Sequence, residues 1–336
     1  MGRTWLGVLS GVVCCLMGTA SRGDSSHPLI IYVSTPIGVN NFLKQGWTGA
    51  QQAAADMGGT ARLFEAKDPT SERLSVEAGA KAGADVVVTI TYEFDDILPE
   101  VAKEYPTIKF LDVDSCPKSP PPNVSCIGFR EYEVNFLAGA EAAFISKSGK
   151  IGAIGALDVP FVHRWTDSFG DGAKYVKPDI QVLPTLWVGG DNPFSDPARG
   201  QQRAVSLLSD GADRIMAAAS ASNGGIFNAL ADFPGALAYG VDVNECASAP
   251  GYIVDNVEKK TDVAVRTGAA AVIKGNAKPY ISLGLAEGGL DLTALEPGLA
   301  DSKCEIAKYP EVIEKVKALK AQVVSGAVTV RDPAAH

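Results

Sequence analysis

The sequence predicts an α/β fold of two doubly wound parallel-sheet lobes in tandem. Three observations predict it. Strand-like apolar runs alternate almost without break with segments of helical period. The alternation ends once, near residue 150, and starts again. The chain has 336 residues, 46% of them apolar, which is enough for two cores.

The first run opens with residues 29–34, an apolar stretch that reads as a buried strand. A helix follows at 41–57, with Phe42, Trp47, Ala50, Ala53 and Ala54 near helical spacing. Next come a strand at 61–65 and a helix at 70–82, stopped by Gly83. The β-branched run 85–91 is a third strand, and 96–105 is a helix ended by Pro106. Strands at 109–113 and 124–129 and a long helix at 131–146 complete the run. The second run has strands at 150–155, 181–188, 214–218 and 237–241, separated by helices at 161–176, 197–209 and 223–232. A short strand at 252–256 leads into a helix at 259–274. Two β segments at 280–285 and 288–292 and an amphipathic helix at 310–325 come last. The reading gives 28–148 with part of 256–325 to an N-terminal lobe, and 149–255 with part of 280–336 to a C-terminal lobe. The chain is expected to cross between them near 146–150, 255–259 and 280–292.

Residues 1–20 read as a signal peptide. Arg3 supplies the positive start, an apolar run extends from Trp5 to Met17, and Gly18, Thr19 and Ala20 are small residues suited to cleavage before Ser21. The run is short for a bilayer span. A periplasmic location is therefore expected. A lipid anchor at Cys14 or Cys15 is the less favoured alternative, because Val13 is not the small residue preferred just before a lipidated cysteine. Cys116, Cys126, Cys246 and Cys304 then remain, which fits two disulfides with three possible pairings. Cys116–Cys126 and Cys246–Cys304 are favoured, the first closing the proline-rich loop around Pro120. Zinc is disfavoured, since there is no CxxC and only three histidines.

The formal net charge is −9 and no basic cluster occurs, which argues against nucleic acid or anionic membrane as partner. No P-loop, GxSxG, HExxH or strand-following GxGxxG is present. The sequence calls for no cofactor, no metal and no catalytic constellation, and reads more simply as a monomeric receptor than as an enzyme.

Six ordered segments carry a family resemblance: NVSCIGFREYEVNFLAG at 123–139, KSGKIGAIGALDVP at 147–160 followed by Arg164 and Phe169, DPARG at 196–200, YGVD at 239–242, KKTDVAV at 259–265 and LGLAEGG at 283–289. Together they resemble the basic membrane protein family of substrate-binding proteins over nearly all of the chain beyond the leader. The resemblance implies a type I periplasmic binding protein fold. It also implies a small-molecule ligand held between the lobes, purine nucleosides being known in the family, and a membrane permease of an ABC transporter as partner.

Ligands of open parallel sheets bind beyond the carboxyl ends of the strands, so residues there are the candidates. Phe42 opens a helix directly after a strand, and by resemblance it stacks on the base. Phe194 matches a family phenylalanine before the Asp-Pro pair and would close the other side. Asp114, Asp158 and Asp242 follow strands, where a carboxylate can accept from hydroxyls or ring N–H groups. Asp242 and Lys259 match family positions associated with ribose. Tyr92 is a further aromatic candidate, whereas Trp165 reads as helix packing. The family's first loop usually carries acids. Here it reads VSTPIGVNNF at 33–42, so Asn40 and Asn41 can donate and accept but bring no charge. A free base, a pyrimidine nucleoside or another polar ring compound therefore stays open as ligand. The rival functions are a ligand sensor of the same fold and an exported nucleoside or sugar hydrolase.

Overall fold

The computed structural model describes residues 1–2 and 27–335. The cleavage region, Cys14 and Cys15 lie outside the described residues. The first part of the chain forms β1 (Leu29–Ser34), α1 (Asn41–Asp56), β2 (Thr60–Glu65), α2 (Pro69–Lys81), β3 (Val86–Ile90), α3 (Leu98–Glu104), β4 (Phe110–Val113) and β5 (Val124–Phe129). Then come α4 (Glu131–Ile145), β6 (Lys150–Gly155), α5 (Pro160–Val176), β7 (Gln181–Val182), β8 (Leu186–Trp187), α6 (Pro197–Ser209), β9 (Arg214–Ala218), α7 (Asn223–Ala229) and β10 (Leu237–Asp242). The remainder is β11 (Ile253–Lys259), α8 (Thr261–Ile273), β12 (Tyr280–Leu283), β13 (Leu290–Leu292) and α9 (Pro310–Val324).

Two sheets result, ordered β12-β5-β4-β3-β1-β2 and β13-β11-β10-β9-β6-β7, with β8 also on β6. All pairs are parallel except β11 with β13. Each lobe repeats the same winding, in which the first strand lies between the second and the third. That order places a crevice at the carboxyl ends beside β1 and β3, and again beside β6 and β9. The strands of the first sheet's centre are buried along their length, as the apolar runs demand. Side-chain caps start the helices where the sequence turns polar: Asn40 accepts from the Leu43 amide on α1, Asp68 and Ser71 cap α2 reciprocally, and Asp196 caps α6.

Several boundaries differ from the expected ones, each for a local reason. The strand expected at 181–188 is broken into β7 and β8 around Pro184, which has no amide to donate. The helix expected from 96 starts at Leu98 with Pro99 in its first turn, after a 3₁₀ turn at Tyr92–Phe94. Lys259 is the last residue of β11 and not the first of a helix. The strand is longer than its polar residues suggest, because one oxygen of Asp255 and the Asn256 side chain find partners inside the fold, while the second oxygen of Asp255 is buried without one among the described residues. Asp255 accepts from the amides of Asn256 and Ala294, and Asn256 bonds Thr293.

Helix α4 packs along α5 and against α9, so the chain leaves the first sheet at residues 129–131 and not at 146–150. The α4–α5 contact is close. A side chain at Gly139 would meet the Phe169 carbonyl at 1.8 Å, and one at Gly172 the Phe136 carbonyl at 1.8 Å. Fully buried Arg214 of β9 donates to the Ile145 carbonyl at 2.9 Å and fastens the end of α4 to the second lobe. Helix α8 returns to pack on α1, and β12 to pair with β5. The disulfides are Cys116–Cys126 and Cys246–Cys304, the favoured pairing. Among the described residues no helix is long and apolar enough to cross a membrane.

Candidate functional site

A cavity of about 360 Å³ lies where the carboxyl ends of the two sheets face each other. Its volume is within the range of small-molecule sites, roughly 300–1,000 Å³. Four of the five non-glycine residues with positive φ among the described residues line it: Thr91, Asp114, Ser220 and Asp242. Each sits at or just past the end of a strand. A left-handed backbone there turns the side chain into the crevice, and such strain, about 1–3 kcal/mol each, gathers at functional sites.

Lys259 forms the centre. Its Nζ donates to Asp114 Oδ1 at 2.7 Å and to Glu131 Oε1 at 2.8 Å. The rings of Phe42, Phe129 and Trp165 surround the ammonium, with centroids 5.1, 5.0 and 5.1 Å away. Burial alone would push the Lys259 pKa down, but Asp114, Glu131 and Asp242 together drive it up, so the cation is permanent. Burial raises Asp114 to about 7, against the pull of Lys259. Burial likewise raises Asp242 to about 6. Around neutral pH Asp114 can thus donate as well as accept. The Asp242 carboxylate is buried and, among the described residues, accepts no hydrogen bond. Only its backbone carbonyl is engaged, by Gln45 Nε2 at 3.4 Å.

The far wall is aromatic. Phe161 is the second residue of α5, as Phe42 is of α1. Its ring stacks on Phe194 at 6.3 Å and 12°, and meets Tyr92 of the opposite lobe at 5.3 Å. Arg164 also lines the cavity.

Of the residues singled out from sequence, Phe42, Asn40, Tyr92, Asp114, Phe194, Asp242 and Lys259 line this cavity. Asn40 does so while its side chain caps α1. Asn41 lines a smaller neighbouring cavity of about 170 Å³, which shares Ser220, Val241 and Asp242 with the large one. Asp158 is outside both, with a largely exposed side chain bonded to His163 Nε2 at 2.9 Å. Its strand is followed by a loop that carries the carboxylate away from the crevice, and His163 takes it up. Trp165, read as packing, is buried and lines the cavity too.

Sequence reasoning missed Glu131, Arg164 and Phe161. Glu131 follows β5 as Asp114 follows β4, and Phe161 repeats the place of Phe42 one lobe later, so the strand-end rule could have found both. Arg164 sits a full turn into a helix, away from any strand end, and its one signal is its place in the family-like segment that follows 147–160.

The comparisons agree with this architecture. The family model described as ABC transporter substrate-binding protein PnrA-like matches residues 30–325. An uncharacterized lipoprotein of Pyrococcus furiosus is 27% identical over 98% of this chain and 91% of its own. Basic membrane protein A2 of Borrelia garinii is 30% identical over 65% of this chain and 66% of its own. Among solved structures, an ABC transporter solute-binding protein from Aeropyrum pernix superposes with a TM-score of 0.79 at 25% identity, covering 92% of this chain and 94% of that one. One from Conexibacter woesei superposes at 0.69 with 20% identity, over 91% and 99%, and shows the fold alone. With the family match spanning nearly the whole described chain, this protein belongs to the PnrA-like family of ABC transporter substrate-binding proteins.

Proposed function

We propose that the chain is an exported receptor that captures a nucleoside, preferentially a purine nucleoside, between its lobes and delivers it to a membrane permease without catalysing a reaction. The observation that carries this reading is the floor of the cavity. A caged cation, Lys259, is flanked by the carboxyls of Asp114 and Asp242, with Phe42 alongside and Phe194 on the opposite wall. Carboxyls suit vicinal hydroxyls, and aromatic faces suit a flat base, at about 1–3 kcal/mol per stack. The protein acts as a monomer in the periplasm, and cleavage after Ala20 frees it. The lipoprotein names of relatives make an anchor at Cys14 or Cys15 the alternative to be checked on the processed N-terminus by mass spectrometry.

A thermal-shift screen of nucleosides, free bases and sugars tests the ligand. A bound compound at ~100 times its Kd stabilises by ~2.7 kcal/mol. Chromatography after incubation separates a receptor, which returns the compound intact, from a hydrolase. Phe42→Ala and Phe194→Ala should each weaken the best nucleoside. Unchanged affinity in both would refute the stacking arrangement.

A further inference from the structure

The segment after α9 reaches back to the cavity through one residue. Asp332 grips Arg164 side-on: Oδ1 accepts from Nε and Oδ2 from Nη2, both at 2.9 Å. Arg164 lines the cavity from α5, and its remaining nitrogen, Nη1, stops 3.7 Å from Glu131 Oε2. That oxygen is buried and makes no hydrogen bond. The other oxygen of Glu131 accepts from Lys259, which also donates to Asp114. Five charges of alternating sign therefore run from the tail to the cavity floor: Asp332, Arg164, Glu131, Lys259, Asp114.

The guanidinium is a rigid planar fork, so whatever occupies its Nε–Nη2 edge also sets where Nη1 lies. Asp332 occupies that edge. Without it, a half-buried cation and a buried carboxylate with an empty acceptor would close on each other, because a charge-assisted hydrogen bond replaces an unmade one. Glu131 would be drawn toward Arg164 and away from Lys259. Lys259 would then rest on Asp114 alone. We infer that Asp332 is a positioning residue of the ligand site: by holding Arg164 off Glu131 it keeps Glu131 on Lys259, and so sets the arrangement of Lys259 and Asp114 that a ligand meets. Burial opposes ionisation of Asp332, yet Arg164 and the Ala334 amide hold its carboxyl below the usual range, as the pairing requires. The neighbouring tail contact, Arg331 with Asp171 at 3.2 Å, is exposed and touches none of these groups.

The inference rests on the proposed nucleoside reading only for the choice of ligand, so its test has a ligand-free arm. In the full chain, the Asp114 carboxyl is titrated by ¹³C NMR in wild type, Asp332→Asn, Asp332→Glu and Arg331→Ala. The charged or titratable groups facing Asp114 are Lys259 from β11, Glu131 from α4, Asp242 from β10 and Asp112 from β4, the strand it follows. Moving Glu131 away removes a negative neighbour, so Asp332→Asn should lower the Asp114 midpoint by about one pH unit, a tenfold change in proton affinity. Asp332→Glu should restore it, and Arg331→Ala should leave it unmoved. In the second arm, adenosine and guanosine affinities by calorimetry should fall about fivefold in Asp332→Asn and recover in Asp332→Glu. If Asp332→Asn does not fold, Asp332→Ser is read in its place. An Asp114 midpoint unaltered by loss of the Asp332 charge overturns the inference, as does an equal shift in Arg331→Ala, which would make the tail mere packing. If the wild type binds neither nucleoside, the ligand reading fails, while the carboxyl titration still decides the role of Asp332.

Discussion

Lys259 shows how one buried charge can organise a site. It is 3% exposed, yet it stays ionised because carboxylates just past β4, at the end of β10 and at the start of α4 approach it. Lys259→Met should cost about 3–5 kcal/mol at pH 8, since it leaves Asp114 and Glu131 as uncompensated buried anions. At pH 5 the cost should be smaller, because Asp114 and Asp242, raised to about 7 and about 6, then carry protons. Urea denaturation at the two pH values measures both. Glu245 behaves differently. Burial raises its carboxyl to about 8, against hydrogen bonds from the Val241 amide and Asn223. The native state then holds a proton that the unfolded chain, with its ordinary value of about 4.3, releases. Stability from this group is full below about pH 4 and declines as pH rises to about 8. Glu245→Gln keeps an acceptor for both donors and removes the titration. Its denaturation midpoint should fall less between pH 5 and pH 8 than that of the wild type.

Among the elements, α4 and α5 meet through Gly139 and Gly172, each under a carbonyl of the other helix. Gly139→Ala must push these helices apart, and overpacking of this kind costs about 1–3 kcal/mol. Because α5 also presents Phe161, Arg164 and Trp165 to the cavity, the same variant should weaken ligand binding, which calorimetry would register. The two disulfides act on segments of unlike length. Cys246–Cys304 closes a separation of 58 residues and Cys116–Cys126 one of 10. In the chain-entropy model these stabilise by about 4 and about 3 kcal/mol. Serine replacement of Cys246 and Cys304 together should therefore lower the melting temperature more than replacement of Cys116 and Cys126.

Across the molecule, contacts that join the lobes through the cleft include Lys259 with Asp114 and with the Phe42 and Phe129 rings, Gln45 with the Asp242 carbonyl, and the Tyr92 ring with Phe161. Tyr92 and Phe161 come from opposite lobes, so their contact exists only while the cleft is shut. A double-mutant cycle of Tyr92→Ala and Phe161→Ala on nucleoside affinity should give a coupling of about 0.5–1.5 kcal/mol. A coupling of zero would mean that the two rings contribute to binding without bridging the lobes. A ligand that touched both walls would favour the shut form in the same way, since only a ligand that binds that form better can shift the population toward it.

Legible in the sequence were the alternation of strands and helices, the two lobes, the favoured cysteine pairing, and the places after strands at which Phe42, Asp114 and Asp242 stand. Those features follow from local rules: residue period, turn chemistry and the polarity of short windows. Only long-range packing made Lys259 close a strand instead of opening a helix, set α4 against α5, turned Asp158 away to His163 and brought Asp332 to Arg164. Lys259 and Asp114 are 145 positions apart, and Asp332 and Arg164 are 168. Whether such residues meet depends on how whole sheets and helices pack. No local window carries that, because the free energy that brings them together belongs to the buried surfaces between elements and not to the residues themselves.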